Sequence, residues 1–298
     1  MSVSEFLYTV VCRPAPIRWV VNRLILGFLP KSVRIGRADI LLNPHDPVVS
    51  GALAMGVYEK EEISLFSRTI QPGMTVVDVG ANLGAYSAVA LDRLGGTGKL
   101  LAVEPARENF RWLDRNIKRN CGSSRRTRIH AVRAALSDRA GTALLHKNPD
   151  NKGDNRLYRD GLLQNQEKVA TATLDTLCRK YGIRSIDVLK IDVQGFENQV
   201  LEGAKKTLRA SPGCRLFCEF WAEGMRKAGA GPGPFFELLG DLGFQIYQVK
   251  GSRLMPVTAP SIIQVTQGRK YLNIYAQRPG ARVKRKTKSE SLRAQKKN

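Results

Sequence analysis

Residues 76–87 read VVDVGANLGAYS, and this stretch decides the fold. Val76, Val77 and Val79 are β-branched and suit a buried strand, yet Asp78 interrupts them with a carboxylate and Gly80 follows directly. The GANLG turn then leads into a helix expected from about Leu83. Gly80 and Gly84 allow backbone to approach a ligand where a β-carbon would collide. A carboxylate at such an edge suits a ligand with a cationic or hydroxyl-bearing part better than a bare phosphate.

Outward from this unit, strand and helix patterns alternate. Strands are expected at 74–79, 99–103, 128–136, 186–192, 214–220, 243–249 and 271–277, with helical segments that include 108–119, 196–208 and 234–242. That order predicts an α/β fold with a doubly wound, mostly parallel sheet covered on both faces. Ligands in such sheets bind beyond the carboxyl ends of the strands, where the strand order reverses. Glu104 ends the second strand, 24 residues after Gly80, where an acid accepts hydrogen bonds from ribose hydroxyls. The spacing fits NAD and S-adenosylmethionine alike. A dinucleotide site wants G-x-G-x-x-G, but Asn82 and Ala85 stand where the second and third glycines would, so S-adenosylmethionine is the expected cofactor.

The chain has 298 residues, 43% hydrophobic and 25% charged, enough for one full α/β core without a second domain. Its formal charge of +22 favours contact with something anionic: nucleic acid, phospholipid or an acidic substrate. Eight Lys or Arg residues lie in the tail 282–298 against Glu290, and nine lie between Arg107 and Arg133 against two acids. A solvated surface with a disordered tail and an anion-binding surface are both open readings. The division expected is an amino-terminal extension over 1–70, a catalytic domain over 71–279 and a basic disordered tail over 280–298.

Five cysteines form no CxxC, and with three histidines they show no metal-ligand spacing, so no metal is expected. Cys214 and Cys218 share one face of a strand and read as buried structure. The odd count points to a reducing, cytoplasmic compartment. Near the amino end, apolar residues at 17, 20, 21, 24, 25 and 28 form a helical stripe. Packing against its own domain and lying in the plane of an anionic membrane are the two readings of that stripe. Arg18 and Arg23 break the apolar run well short of a bilayer span.

Taken in order, GVYEKEEISLF, VVDVGANLGAYS, AVEPARENF, AALSD, ATLDTL and VLKIDVQGFENQVLEGA resemble the FkbM family of S-adenosylmethionine-dependent methyltransferases, over residues 56–204. The resemblance implies a class I methyltransferase fold: a Rossmann-like, seven-stranded sheet ending in an antiparallel hairpin. It also implies methyl transfer mainly to hydroxyl oxygens of sugars, glycolipids and natural products. Many members read DVEG where this chain reads DVQG, so Gln194 replaces a carboxylate.

The resemblance assigns roles. Asp78, Gly80, Ala81, Asn82 and Gly84 would surround the amino-acid part of the cofactor, and Glu104 would hold its ribose. Pro105 and Asn109 would shape the adjoining loop, and Ser137 with Asp138 would meet the adenine edge. Asp192 is the first candidate for proton acceptor or acceptor positioning, with Lys190, Glu197 and Glu219 behind it. An ion pair from Lys190 that merely braces the strand end is the bland alternative. A small-molecule or glycan acceptor is the expected partner, with peripheral contact to an anionic membrane. RNA methylation and a non-catalytic nucleic-acid or membrane-binding protein are the rival functions.

Overall fold

The computed structural model describes residues 25–122, 127–149, 151–159, 165–250, 253–267 and 271–279. Most of the stripe at 17–28 and all of the basic tail lie outside the described residues. The first half of the chain forms β1 (Ser32–Ile35), β2 (Ala38–Leu41), α1 (Val49–Ala54), α2 (Lys60–Thr69), β3 (Thr75–Val79), α3 (Ala85–Leu94), β4 (Lys99–Val103), α4 (Arg107–Asn120), β5 (Arg128–Val132), β6 (Ala135–Leu136) and β7 (Gly141–Lys147). The second half forms β8 (Asn165–Ala172), α5 (Leu174–Lys180), β9 (Val188–Ile191), α6 (Glu197–Glu202), α7 (Lys205–Arg209), β10 (Arg215–Phe220), α8 (Ala222–Lys227), α9 (Pro232–Asp241), β11 (Gln245–Lys250), β12 (Arg253–Pro256), α10 (Ala259–Val265) and β13 (Leu272–Gln277).

The main sheet runs β12-β11-β13-β10-β9-β3-β4-β5. Pairing is parallel from β5 through β4, β3 and β9 to β10, and antiparallel from β10 through β13 and β11 to β12. The last strand inserts between β10 and β11, so this is the class I methyltransferase arrangement with its antiparallel end. Eight strands replace the seven expected, because the short, exposed β12 extends the edge beyond β11. The single strand expected over 128–136 is two: β5 stays in the main sheet, while Ala135 and Leu136 pair with β8 in a separate sheet ordered β6-β8-β7. The helix expected over 196–208 breaks at Gly203, where a β-carbon would lie 2.1 Å from the Ser137 carbonyl oxygen.

Period-two alternation splits β3 between two cores. Val77 and Val79 join Leu101, Val103, Leu189 and Ile191 on one face; Val76 joins Leu100, Ala102 and Val188 on the other. Asp78 therefore belongs to the Val76 face, toward α3, and is fully buried there.

The boundary expected at residue 70 is no break in packing. Ile40, Phe66 and Ile70 are 0% exposed and share a core with Val76, Leu83 and Leu100. Asn116 of α4 docks β2: its Oδ1 accepts from Leu41 N at 2.7 Å and its Nδ2 donates to Leu41 O at 3.0 Å. Phe66 holds α2 against the sheet, edge-on to Tyr86 and to Phe217 at centroid separations of 4.9 and 5.3 Å. Glu59, the residue before α2, is thereby set on a rigid support. Among the described residues no helix is long and apolar enough to cross a membrane.

Candidate active site

A cavity of about 760 Å³ opens at the carboxyl ends of β3, β4, β9 and β10, within the usual range for small-molecule sites. The strand order reverses between β3 and β9, so the crevice lies where the topology favours a ligand. Val49 and Ala52 of α1, with residues 148 and 151–157 between β7 and β8, build the opposing wall. Three non-glycine residues have positive φ among the described residues: Glu59 at 39°, Asn82 at 51° and Gln194 at 54°. All three line this cavity. Each such conformation costs roughly 1–3 kcal/mol and persists only where surrounding structure enforces it, a concentration typical of functional sites.

At one end, Glu104 is 4% exposed and anchored by backbone donors. Asn82 N donates to its Oε2 and Ala106 N to its Oε1, both at 2.9 Å. Burial pushes its carboxyl up to about 7, against the pull of those donors. Each oxygen keeps acceptor capacity for a further hydroxyl. The apolar Ala134, Ala135 and Leu136 line the cavity at this end with Pro105 and Asn109, and the Asn109 amide ties down the opposing wall by donating to Lys152 O at 2.9 Å. A buried acid beside an apolar slot, with no glycine-rich phosphate cradle, fits a ribose and a flat base, and so fits S-adenosylmethionine. Gly80 lines the cavity at the turn; a β-carbon there would lie 1.8 Å from Asp192 O, so only glycine lets the two strand ends close together.

At the other end, carboxylates converge. Asp192 Oδ2 lies 3.1 Å from Lys190 Nζ, and its Oδ1 accepts from Gln194 Nε2 at 2.9 Å. The same amide donates to Glu219 Oε2 at 2.5 Å. Glu59 Oε2 accepts from Tyr86 Oη at 2.5 Å. Oxygens of Glu59, Asp192 and Glu219 lie within 4.8 Å of one another, and the Lys190 ammonium is the cation that meets them. Burial works against that ammonium, but Asp192, Glu59 and Asp78 outweigh it and raise its pKa. It also stands 4.5 Å over the Tyr86 ring.

Several expected site residues do not reach the cavity. Asp78 points behind the turn, where its Oδ2 accepts from Ser87 Oγ at 2.7 Å; burial raises its pKa. Ala81 is buried beneath the turn, its N–H donating to Val103 O. Gly84 faces α4: a β-carbon there would meet Leu113 Cδ1 at 2.9 Å, so this glycine serves helix packing. Ser137 donates to Asp138 at 2.8 Å in a turn outside the cavity, and the residues just before them line it instead. Glu197 is 1% exposed and accepts from Val193 N at 3.2 Å and Gly195 N at 3.1 Å, bracing the loop that carries Asp192. Burial pushes Glu197 up to about 7.

Glu59 was missed by sequence reasoning, although its stretch GVYEKEEISLF stood out as a motif without a role. So was the wall formed by residues 148 and 151–157, whose Asn, Gly and Asp content signalled turns but not their destination. Trp221 lines the cavity with the Arg156 guanidinium 4.9 Å from its ring.

Residues 78–227, 150 of the 298, match the methyltransferase FkbM domain. The chain belongs to the FkbM methyltransferase family. Methyltransferase sdnD of Sordaria araneosa is 30% identical over 157 residues, 43% of this chain and 59% of that one. The 2-O-methyltransferase NoeI of Sinorhizobium fredii is 30% identical over 160 residues, 46% of this chain and 60% of that one. Ribosomal RNA large subunit methyltransferase E of Nitrosomonas eutropha is 39% identical over 79 residues, 25% of this chain and 38% of that one. The chain spans about three fifths or less of the length of these relatives. The FkbM domain match begins at Asp78, so Tyr58 and Glu59 lie ahead of it although they line the cavity.

Proposed function

We propose that this protein is an S-adenosylmethionine-dependent O-methyltransferase acting on a hydroxyl of a sugar, glycolipid or related compound. The observation that carries the reading is the two-ended cavity: a buried ribose-type acid, Glu104, at one end and three converging carboxylates at the other. S-adenosylmethionine supplies an electrophilic methyl group when bound. Glu104 would hold its ribose hydroxyls, Ala134 to Leu136 its base, and Gly80 with Asn82 its amino-acid part. Asp192, fixed between Lys190 and Gln194, would hold a carboxylate oriented where a cationic centre has to be stabilised. Positioning accounts for much of the rate in such a displacement, and the rigid elements behind each side chain supply it.

Carboxylate oxygens accept hydrogen bonds, so this end of the cavity suits an acceptor rich in hydroxyl donors. Tyr58, Trp221 and Tyr271 line the same end and offer apolar faces to a sugar ring. The 2-O-methyltransferase among the relatives supports transfer to oxygen. The basic run between Arg107 and Arg133 and the ribosomal RNA methyltransferase relative support RNA as a second reading. Incubation of the full-length protein with labelled S-adenosylmethionine and fractionated extract of its source cell separates them. Label in glycan or glycolipid supports the proposal and label in RNA supports the second reading. Absence of S-adenosylmethionine binding by calorimetry would turn the chain into a non-catalytic member of its family.

A further inference from the structure

Three carboxylates meet at the acceptor end, and their surroundings make them unequal. Asp192 has both oxygens engaged, one by the Lys190 ammonium and one by the Gln194 amide. With both oxygens already taken by donors, Asp192 offers no free oxygen to an incoming hydroxyl. Glu219 accepts the second hydrogen bond from Gln194, and burial, Asp192 and Glu59 raise its pKa well above the ordinary glutamate range. Glu59 differs from both. It lines the cavity, one oxygen accepts from Tyr86, and Oε1 has no hydrogen bond among the described residues. Its left-handed backbone, with φ 39° and ψ 42°, aims it from the head of α2.

We propose that Glu59 is the general base that takes the proton of the acceptor hydroxyl, with the Lys190 and Asp192 pair as the fixed charges beside it. This rests on the methyl-transfer reading above and adds a residue from outside the matched domain. The acceptor's O–H bond breaks with its electron pair left on oxygen, and the proton joins Glu59 Oε1, converting the carboxylate to a neutral acid. The electron pair left on oxygen forms the new bond to the methyl carbon, whose bond to the donor's sulfur breaks with its pair left on sulfur. The Tyr86 hydroxyl stays hydrogen-bonded to Oε2 and holds the side chain in place through the transfer.

The groups that face Glu59 are Tyr86 of α3, Lys190 and Asp192 at the end of β9, Glu219 of β10, Tyr271 before β13, and Tyr58 and Glu62 on its own stretch. Burial pushes the Glu59 carboxyl up to about 7; Lys190 and Tyr86 oppose that rise and Asp192 adds to it. A base poised there exchanges its proton readily near neutrality. Tyr58 and Tyr86 are raised well above their ordinary range by burial and remain neutral, so they do not compete.

The test uses full-length wild type, Glu59→Gln and Tyr86→Phe. Calorimetry with S-adenosylmethionine should give Glu59→Gln an affinity within about threefold of wild type, because the base lies at the acceptor end. Methyl transfer into the acceptor fraction should fall by about 100-fold or more in that variant. Its residual rate should also lack the low-pH limb that wild type shows near neutrality. Carbon-13 NMR of glutamate carboxyls, read without donor or acceptor, should show a group titrating near 7 in wild type that Glu59→Gln lacks. Tyr86→Phe removes a hydrogen bond that favours the ionised form, so the midpoint should rise. A Glu59→Gln rate within about tenfold of wild type, a Glu59 carboxyl titrating in the ordinary range, or an unmoved midpoint in Tyr86→Phe would each overturn the assignment. Should Glu59→Gln fail to fold, Tyr86→Phe decides alone. Wild type that fails to bind S-adenosylmethionine would overturn the broader functional reading, a result distinct from these.

Discussion

Gln194 Nε2 lies 2.5 Å from Glu219 Oε2 while the same amide donates to Asp192 Oδ1 at 2.9 Å. One neutral side chain thus bridges two carboxylates that would otherwise repel across the cavity mouth. Gln194→Glu replaces a double donor with a third acceptor. At pH 8 the variant should melt at a lower temperature than wild type. The gap should narrow at pH 5.5, where a shared proton can rejoin the pair. Equal differences at both pH values in a calorimetric scan would show that the amide is not an electrostatic bridge.

The pairing of Glu104 with Asn82 N and Ala106 N makes cofactor affinity pH-dependent in a specific direction. Its carboxyl is raised by burial to about 7, and ribose hydroxyls donate to the ionised form, so binding strengthens as pH rises through neutrality. Between pH 6 and 8, S-adenosylmethionine affinity should rise by up to about tenfold in calorimetry. Glu104→Ala should weaken it by at least roughly tenfold at pH 8, about 1.4 kcal/mol, and flatten the pH dependence. A flat wild-type profile would remove Glu104 from the ribose contact.

Much of this was legible in advance. The alternation of strands and helices, the turn after Val79 and the acid at Glu104 follow from local pattern, since period-two burial and a glycine turn leave marks within a few residues. Gly84 shows where local reading stops: its glycine was visible, but the Leu113 side chain that demands it comes from a helix some thirty residues on. Ser137 failed for a similar reason, because β6 leaves the main sheet for β8, a partner set by register and not by composition. Glu59 needed the docking of α2 through Phe66 before its carboxylate could be placed beside Asp192.

Ligand-free stability should fall as the medium becomes more basic. Burial raises Glu59, Glu104 and Glu197 each to about 7 in the folded state, above the ordinary glutamate range that the unfolded chain shows. The folded protein therefore binds more protons than the unfolded one between those values. The sign is fixed: stability is fullest below the unfolded pKa and is lost as pH climbs through the folded one. The melting temperature should be several degrees lower at pH 8 than at pH 5.5, and saturating S-adenosylmethionine should reduce the loss by stabilising ionised Glu104. A melting temperature that rises over this interval would mean these acids are ionised in the fold.

Gly80 and Gly84 both have positive φ, 73° and 93°, yet they should fail differently when replaced by alanine. Any β-carbon in the left-handed region costs roughly 1–2 kcal/mol. At Gly84 the added atom meets chiefly Leu113 Cδ1 at 2.9 Å, the far end of a flexible side chain that can move aside. Gly84→Ala should therefore lower stability by about 1–3 kcal/mol while S-adenosylmethionine affinity stays within about threefold. At Gly80 the added atom falls 1.8 Å from Asp192 O, which is backbone at the neighbouring strand end. Nothing there can yield without parting β3 from the loop after β9, and that loop carries Asp192 and Gln194. Gly80→Ala should lose cofactor binding by at least about 100-fold in whatever fraction remains folded, read by calorimetry beside a thermal melt. If Gly80→Ala kept its affinity while Gly84→Ala lost it, the turn would meet the ligand through Gly84 and the placement of these two glycines would have to be reversed.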